Sequence, residues 1–175
     1  MTTMHIIRNL LKQEDLSALR QVSKARYHHP GPRPGIYTCA TTYDPPNDLH
    51  TKLWSLATSK LGKRGAKFNG KSFSQFISYQ KDGFIHPHKD WVFDTSFQHE
   101  LRAAPHQYPA CKLFRVNVMI DSAAKGGELF VEGNEVKLNN GDALVFRAEL
   151  HEHEVKPILD GSRMIFTIGY HHKDI

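Results

Sequence analysis

The feature that most constrains the fold is a change of pattern near residue 73. From there onward the chain consists of short runs rich in β-branched and aromatic residues, which favour strands. The runs are "FSQFISYQ", "FIHPHKD", "LFRVNVMI", "GELFVE", "ALVFRA", "HEHEVKP" and "RMIFTIGY". Turn signals separate them, namely Asp82-Gly83, Gly126-Gly127, "NNGD" (139–142) and Asp160-Gly161. Many short strands with regular turns predict a barrel or jelly roll.

The residues before this change show helical patterns instead. "HIIRNLL" (5–11) predicts a short strand, and "EDLSALRQVSKAR" (14–26) predicts a helix, because its apolar residues recur every three or four positions. The sequence "HHPGPRPG" (28–35) predicts a stiff loop, since proline and glycine cannot continue a helix. A leucine stripe over 47–61 predicts a second helix.

We therefore expect one domain, residues 1–175, which is mainly β with N-terminal helices. In this arrangement a helical buttress (1–72) supports the β core (73–170). No apolar run approaches the roughly 20 residues of a membrane span, and the polar N-terminus is unlike a signal peptide. Two cysteines favour free thiols in a reducing compartment, so we expect a cytoplasmic protein without a membrane partner.

The charge gives a weaker indication of partners. The net charge is +5 and the pI is about 9.2, but the basic residues are dispersed. Their densest cluster, "KLGKRGAK" (60–67), is typical of a helix end. Nucleic acid or an acidic substrate is therefore possible but not favoured. Twelve histidines is a high count for this length and points weakly to metal chemistry.

The tripeptide His-Lys-Asp occurs twice, and His-x-Asp is a spacing that can hold a metal. In a strand, residues i and i+2 share a face, so His88 and Asp90 can both point into a barrel. The second copy, His172 and Asp174, stands at the chain end, where we expect a polar tail past the last strand.

Two histidines and one carboxylate on one side of a metal are typical of Fe(II) oxygenases, because they leave positions open for substrate and oxygen. The third ligand must come from elsewhere in the barrel. His151 and His153 are the candidates.

At these residues the sequence resembles the Fe(II)- and 2-oxoglutarate-dependent dioxygenases, in particular their prolyl 4-hydroxylase-like branch. The similar motifs are Tyr79, "PHKD" (87–90), "GGELF" (126–130), "GDALVF" (141–146) and "HEVKPILDGSR" (153–163). The resemblance covers about residues 73–170. It implies a double-stranded β-helix, a cupin-like jelly roll with the iron inside one end.

The resemblance also implies roles for individual residues. Its pattern selects His153 as the third Fe(II) ligand, with His151 as the fallback. It assigns Arg163 to the distal carboxylate of 2-oxoglutarate, which a guanidinium can bind in bidentate fashion, and Tyr79 to the same carboxylate. His86 is interpreted either as a residue that supports the site or as a packed barrel histidine.

The implied reaction is hydroxylation of an unactivated C–H bond by Fe(II), 2-oxoglutarate and O2, with release of succinate and CO2. The resemblance favours a prolyl or other amino-acid residue in a peptide, a protein or a free amino acid. A nucleobase-oxidising oxygenase is the second interpretation. A non-catalytic metal-binding barrel or interaction domain is the third.

Two features depart from the family pattern. "TIGY" (167–170) stands where the family often has a tryptophan, and the segment 91–111 is long enough to form a lid or binding element.

Overall fold

The computed structural model describes residues 4–31, 33–41, 53, 55, 56, 59, 71–90 and 112–172. One helix is bounded there, α1 (Gln13–Lys24). The strands are β1 (His5–Ile7), β2 (His29–Pro30), β3 (Ile36–Thr41), β4 (Lys71–Tyr79), β5 (Ile85–His88), β6 (Lys112–Asp121), β7 (Lys125–Gly126), β8 (Leu129–Val131), β9 (Asn134–Val136), β10 (Ala143–Arg147), β11 (His153–Val155), β12 (Ile158–Asp160) and β13 (Arg163–His172).

The strands form a large sheet and a smaller one that faces it. The order in the large sheet is β1-β10-β6-β13-β4-β3-β2, and in the smaller sheet it is β5-β11-β8-β9. β7 and β12 form a separate two-stranded ribbon. All strand pairings are antiparallel, and most neighbours in the two larger sheets are far apart in sequence. The β2–β3 and β8–β9 pairs are local hairpins. This is the jelly-roll arrangement that the run of short strands predicts.

The large sheet is buried on both faces, which explains why its central strands are nearly continuous apolar runs. On one face, Phe76 of β4 and Phe166 of β13 pack with their ring centroids 5.0 Å apart, in a cluster that also contains Leu16 of α1 and Leu53. On the other face, Phe146 and Ile165 pack against residues of the smaller sheet such as Val131. The cavity described below opens within this second layer.

Helix α1 follows the predicted segment closely. Its first turn carries Glu14 and Asp15, and the Asp15 carboxylate accepts the Lys12 backbone N–H at 3.0 Å, which satisfies a donor that the helix leaves free. Leu16 is 3% exposed on the core side. Arg20 ties the helix to the large sheet, since its guanidinium bonds Asp121 at 2.8 Å.

Three predictions about the N-terminal part and the chain end need correction or comment. Three strands from the first 72 residues, β1, β2 and β3, belong to the large sheet, so position 72/73 does not separate a helical part from a β part. The expected loop 28–35 contains the two-residue strand β2. The expectation that the second His-Lys-Asp lies past the last strand is wrong for His172, because β13 continues to that residue.

Some predictions fall outside the described residues. Within the second predicted helix, 47–61, residues 53, 55, 56 and 59 are described and are helical. The basic cluster 60–67, the segment 91–111 and Asp174 lie outside the described residues. Among the helical residues that are described, no stretch is both long and apolar enough to cross a bilayer.

Candidate metal and cosubstrate site

Three predicted ligands converge between the ends of two paired strands. His88 ends β5, and it lies opposite His153, the first residue of β11. Asp90 follows two residues after His88, and its backbone N–H donates to the Ala148 carbonyl at 2.9 Å, which fixes the turn. One ligand atom from each of the three side chains lies within 4.8 Å of the others. In the described part of the chain, no other group of three such residues meets this criterion.

Both imidazoles are oriented in the same way by the backbone. His88 Nδ1 lies 2.9 Å from the carbonyl oxygen of His86, and His153 Nδ1 lies 3.1 Å from that of His151. If each Nδ1–H donates to its carbonyl, each Nε2 presents its lone pair to the centre of the cluster. The two Nε2 atoms lie 3.4 and 3.7 Å from the same Asp90 oxygen, Oδ1.

Asp90 is held as an anion by its neighbours. Its second oxygen, Oδ2, accepts a hydrogen bond from Arg115 Nε at 2.6 Å. Burial alone would raise the pKa of Asp90, but the hydrogen bond with His88 and the charge of Arg115 hold it well below the usual range. Oδ1 therefore remains a negatively charged ligand atom that faces the two imidazoles, and this arrangement suits a divalent metal ion.

The same electrostatics act differently on the two histidines. The hydrogen bond to Asp90 raises the pKa of His88. Burial lowers the pKa of His153, and this effect outweighs the attraction of Asp90. His153 is thus the more strongly biased toward the neutral form that binds a metal.

Arg163 and Tyr79 form a second polar group in the same cavity. They are direct register partners on β13 and β4, and their side chains are 2% and 1% exposed. The Arg163 guanidinium carbon lies 4.9 Å from the centre of the Tyr79 ring. Burial lowers the pKa of Arg163 and raises the pKa of Tyr79, although their mutual interaction offsets part of each shift.

Among the described residues, the guanidinium of Arg163 has no anionic partner. Its Nε and Nη1 are buried and have no hydrogen-bond partner. A buried cation with two unpaired donors is unfavourable unless a ligand completes it. A carboxylate matches the geometry of such a fork.

The Gly-Gly pair of "GGELF" makes room for this arginine. Gly126 and Gly127 have φ angles of 78° and 75°, which glycine adopts without strain. A Cβ on Gly127 would lie 2.5 Å from Ile158 Cδ1 and 3.3 Å from Arg163 Cδ. A side chain there would therefore push against the arginine or the β12 ribbon.

Both groups line one cavity of about 360 Å³. Its wall between them is largely apolar, with Ile77, Leu129, Val155 and Ile165 among the lining residues. This volume suits a small ligand bound against a few polar anchors. The cavity can hold an anion across the space between the metal ligands and Arg163.

Most of the predicted site residues meet in this cavity, and two histidines do not. His86 is exposed and packs edge-on against Phe84, with ring centroids 4.7 Å apart. His151 is buried, and its Nδ1 faces Glu132 at 3.7 Å. Neither side chain is among the cavity lining, and both residues contribute a backbone carbonyl to a ligand histidine. His172 stands nine positions beyond Arg163 on β13, at the other end of that strand.

Sequence reasoning missed a chain of polar residues beneath Asp90. Arg115 Nη1 donates to Thr167 Oγ1 at 3.2 Å, and that hydroxyl donates to Asn117 Oδ1 at 2.6 Å. The available signal was "FRVNV", in which Arg115 and Asn117 alternate with valines on an otherwise apolar strand. Alternation places both residues on the cavity face.

A jelly roll that carries two histidines and one carboxylate inside one end is the arrangement of the mononuclear non-haem Fe(II) oxygenases. Residues 74–171, more than half of the chain, match the family model of the 2OG-Fe(II) oxygenase superfamily. The chain belongs to this superfamily. A search of curated protein sequences finds no match.

Solved structures support the same fold. A prolyl-4-hydroxylase from Pseudomonas putida has a TM-score of 0.68 at 16% identity, covering 97% of this chain and 92% of that one. The 2OG complex of the viral collagen prolyl hydroxylase vCPH from Paramecium bursaria Chlorella virus-1 has a TM-score of 0.66 at 14% identity, covering 96% and 94%. HygX from Streptomyces hygroscopicus, with nickel, 2-oxoglutarate and hygromycin B bound, has a TM-score of 0.62 at 16% identity, covering 97% and 82%.

The fold is thus a double-stranded β-helix, and membership of the superfamily makes the protein a 2-oxoglutarate-dependent dioxygenase. It uses Fe(II), 2-oxoglutarate and O2. The donor set fits this use, because imidazole nitrogens and one carboxylate oxygen converge while an unpaired guanidinium stands in the same cavity. The non-catalytic interpretation is therefore wrong.

Proposed function

We propose that His88, Asp90 and His153 bind Fe(II) and that Arg163, with Tyr79, binds the distal carboxylate of 2-oxoglutarate. One observation carries this assignment: a converged His-Asp-His set and a buried, unpaired guanidinium share one small cavity. The bound metal and cosubstrate supply the oxidising chemistry, in which O2 is consumed and 2-oxoglutarate is converted to succinate and CO2.

The chain's own residues bind, orient and shield these groups. The carbonyls of His86 and His151 orient the two imidazoles, and Arg115 holds the carboxylate of Asp90. Apolar side chains, Ile165 among them, line the space between the metal ligands and the arginine. No side chain has to act as a general acid or base.

We further propose that the hydroxylated group is a prolyl or other amino-acid residue, in a peptide, a protein or a free amino acid. The motifs "PHKD", "GGELF" and "HEVKPILDGSR" support this proposal, because they are similar to those of the prolyl 4-hydroxylase-like branch. A nucleobase substrate is the alternative, and the mildly basic pI is what favours it. Succinate release from proline-containing peptides and from oligonucleotides, measured side by side, separates the two.

The organisation and location of the protein are also proposals. We propose that residues 1–175 form one domain, because Leu16 and Leu53 pack into the same core cluster as Phe166. We propose a cytoplasmic location on the basis of the two cysteines alone.

The first test needs no substrate. Under anaerobic conditions, Fe(II) and then 2-oxoglutarate are added to the wild type, to His88→Ala and to His86→Ala, and the visible spectrum is recorded. A keto acid chelated to Fe(II) gives a weak charge-transfer band. We expect this band in the wild type and in His86→Ala, whose exposed side chain is outside the cavity, but not in His88→Ala.

Two results would contradict the assignment. A band that persists in His88→Ala would mean that the metal binds elsewhere. A band that is lost in His172→Ala instead would mean that the second His-Lys-Asp holds the iron.

A further inference from the structure

The Pro/Gly-rich segment after β2 has no role in the proposed iron site, yet it brings an arginine to the same cavity. Arg33 lines the cavity together with Tyr79 and Ile36. Its Nη1 is sealed from solvent and has no hydrogen-bond partner. Among the described residues, no carboxylate pairs with its side chain. Arg33 is partly exposed, whereas Arg163 is buried, which places Arg33 toward the solvent side of the cavity.

The backbone around Arg33 is held in place on both sides. The Gly31 N–H donates to the Ile36 carbonyl at 2.7 Å, and the Ile36 N–H donates to the Arg33 carbonyl at 3.3 Å. Gly35 accepts the Gln80 N–H at 2.7 Å, so the turn is fastened to the end of β4. Pro34 restricts the conformation of Arg33 itself. The guanidinium is thus presented from a stiff, anchored turn.

Gly35 shows how closely this turn is packed. Its φ is 73°, and a Cβ there would lie 2.7 Å from the Gly83 nitrogen. That neighbour is backbone and cannot move aside like a flexible side chain. A ligand that binds Arg33 therefore has to order little of the backbone around it. An ion pair adds most to affinity when little conformational entropy is lost in forming it.

Most charged side chains among the described lining residues of the cavity already have an ion-pair partner. Arg115 is paired with Asp90 at 2.6 Å, and Glu154 is paired with Lys156 at 2.9 Å. Under the proposed function, the distal carboxylate of 2-oxoglutarate completes Arg163. One positive charge then remains among the described lining residues, on Arg33.

We propose that the substrate carries a free carboxylate that pairs with Arg33 while its reacting carbon faces the metal ligands. This inference rests on the proposed function and narrows its substrate class. A planar guanidinium matches a carboxylate through two parallel hydrogen bonds. A phosphate monoester carries about two charges and is usually bound by several donors, whereas the described lining residues offer one unmatched cation.

The test uses a probe that need not be turned over. The protein is loaded with substoichiometric Mn(II) and excess 2-oxoglutarate, so that the metal site and Arg163 are both filled. The paramagnetic relaxation of methyl protons is then measured for three probes: the acetyl methyl of N-acetyl-L-proline, the acetyl methyl of its primary amide and, for an anion of another kind, the O-methyl of methyl phosphate. The amide has nearly the same shape as the acid but lacks the charge.

We expect the carboxylate to reach half-saturation at a concentration about tenfold lower than the amide, as is typical of a charge-assisted pair. Arg33→Gln removes this preference, and Arg33→Lys retains part of it. Arg26→Gln removes the same charge from an exposed position outside the cavity and behaves as the wild type. A melting temperature measured for each variant shows that it is folded.

Each remaining outcome overturns the inference. Equal relaxation by acid and amide in the wild type, or a preference that survives in Arg33→Gln, means that Arg33 does not bind the carboxylate. A stronger effect of methyl phosphate means a phosphorylated substrate. A raised 2-oxoglutarate requirement in Arg33→Gln places Arg33 in the cosubstrate site. If the Fe(II)–2-oxoglutarate band is itself missing in the wild type, the proposed function fails, and that result is distinct from all of these.

Discussion

Replacing Arg163 with methionine is expected to weaken 2-oxoglutarate binding while leaving the stability of the free protein unchanged or slightly higher. Methionine has a similar length but carries neither the charge nor the donors of arginine. In the free protein, two guanidinium nitrogens are buried without partners, and their desolvation opposes folding. In the complex, the same nitrogens are expected to hold a carboxylate.

The loss of cosubstrate binding can be estimated from the two hydrogen bonds. Each bond to a charged group contributes about 1.5–3 kcal/mol. We take a value near the lower end of this range, because part of the gain on binding only offsets the cost of keeping the free cation buried. The two hydrogen bonds together then contribute about 3–4 kcal/mol to 2-oxoglutarate binding. Since 1.4 kcal/mol is a factor of ten, Arg163→Met raises the half-saturating 2-oxoglutarate concentration roughly 10²–10³-fold.

The effect on the free protein is smaller and has the other sign. Methionine loses the contact with the Tyr79 ring, worth about 2 kcal/mol when desolvated, but relieves two unsatisfied donors that cost about 1–3 kcal/mol each. We expect the melting temperature without 2-oxoglutarate to be unchanged or higher by a few degrees, at about 2–4 °C per kcal/mol.

Thermal melting with anaerobic Fe(II), with and without 2-oxoglutarate, measures both effects. Ligand at 100 times its dissociation constant should stabilise the wild type by about 2.7 kcal/mol, or roughly 5–10 °C. Arg163→Met should show no such shift. Arg20→Gln, which breaks an ion pair outside the cavity, should keep it. A variant that is destabilised by more than about 3 kcal/mol without ligand, yet binds 2-oxoglutarate normally, would refute the reasoning and make Arg163 a structural residue.

Three further predictions concern parts of the fold that surround the site. Asp142 is 1% exposed and accepts hydrogen bonds from Asn9, Asn139 and Arg8, which together outweigh burial and lower its pKa. The stabilisation of the folded state by the Asp142 carboxylate is therefore fully present above the unfolded-state pKa of about 4, and it is lost as the pH falls through the lower folded-state pKa. Urea titrations across this pH range should show that Asp142→Asn is about 1–3 kcal/mol less stable than the wild type at pH 7 and that its stability depends less on acid. Gly127→Ala should destabilise the protein more than Gly133→Ala, because both have positive φ but a Cβ at Gly133 meets nothing within 4 Å; equal losses in urea titrations would mean that packing against Ile158 is unimportant. His153→Ala should abolish metal binding in a Mn(II) titration while His151→Ala retains it, and the reverse result would make His151 the third ligand.

The β core was predictable from sequence because its signals are local. Short apolar runs and Gly-containing turns lie next to each other in the chain, and the seven predicted runs correspond to β4, β5, β6, β8, β10, β11 and β13. β3 was missed because "IYTCAT" follows a Pro/Gly-rich segment, and its pairing with β4 joins residues about 40 positions apart. A sequence shows which segments can pair but gives little information on which distant partner they choose.

The site shows the same division between local and distant information. The His-x-Asp spacing is local and was sufficient to identify His88 and Asp90 as candidates. The selection of His153 required the family pattern, because His151 lies on the same strand parity and the sequence alone does not separate them. Arg115 was missed because its partner, Asp90, lies 25 residues away, and the contact between them exists only once the sheet is formed.

The chain contains two His-x-His segments, His86–His88 and His151–His153, in which the two histidines have different roles. In each, the carbonyl of the first histidine fixes the ring of the second, at 2.9 Å in one strand and 3.1 Å in the other. A backbone carbonyl is available from any residue, so the identity of His86 and His151 is not required by this contact. The second position of each segment must be histidine for the metal, whereas the first can vary so long as its backbone stays extended. Spacing therefore selects His88 through Asp90 but leaves His151 and His153 equal, and the geometry of the ring nitrogens separates these two.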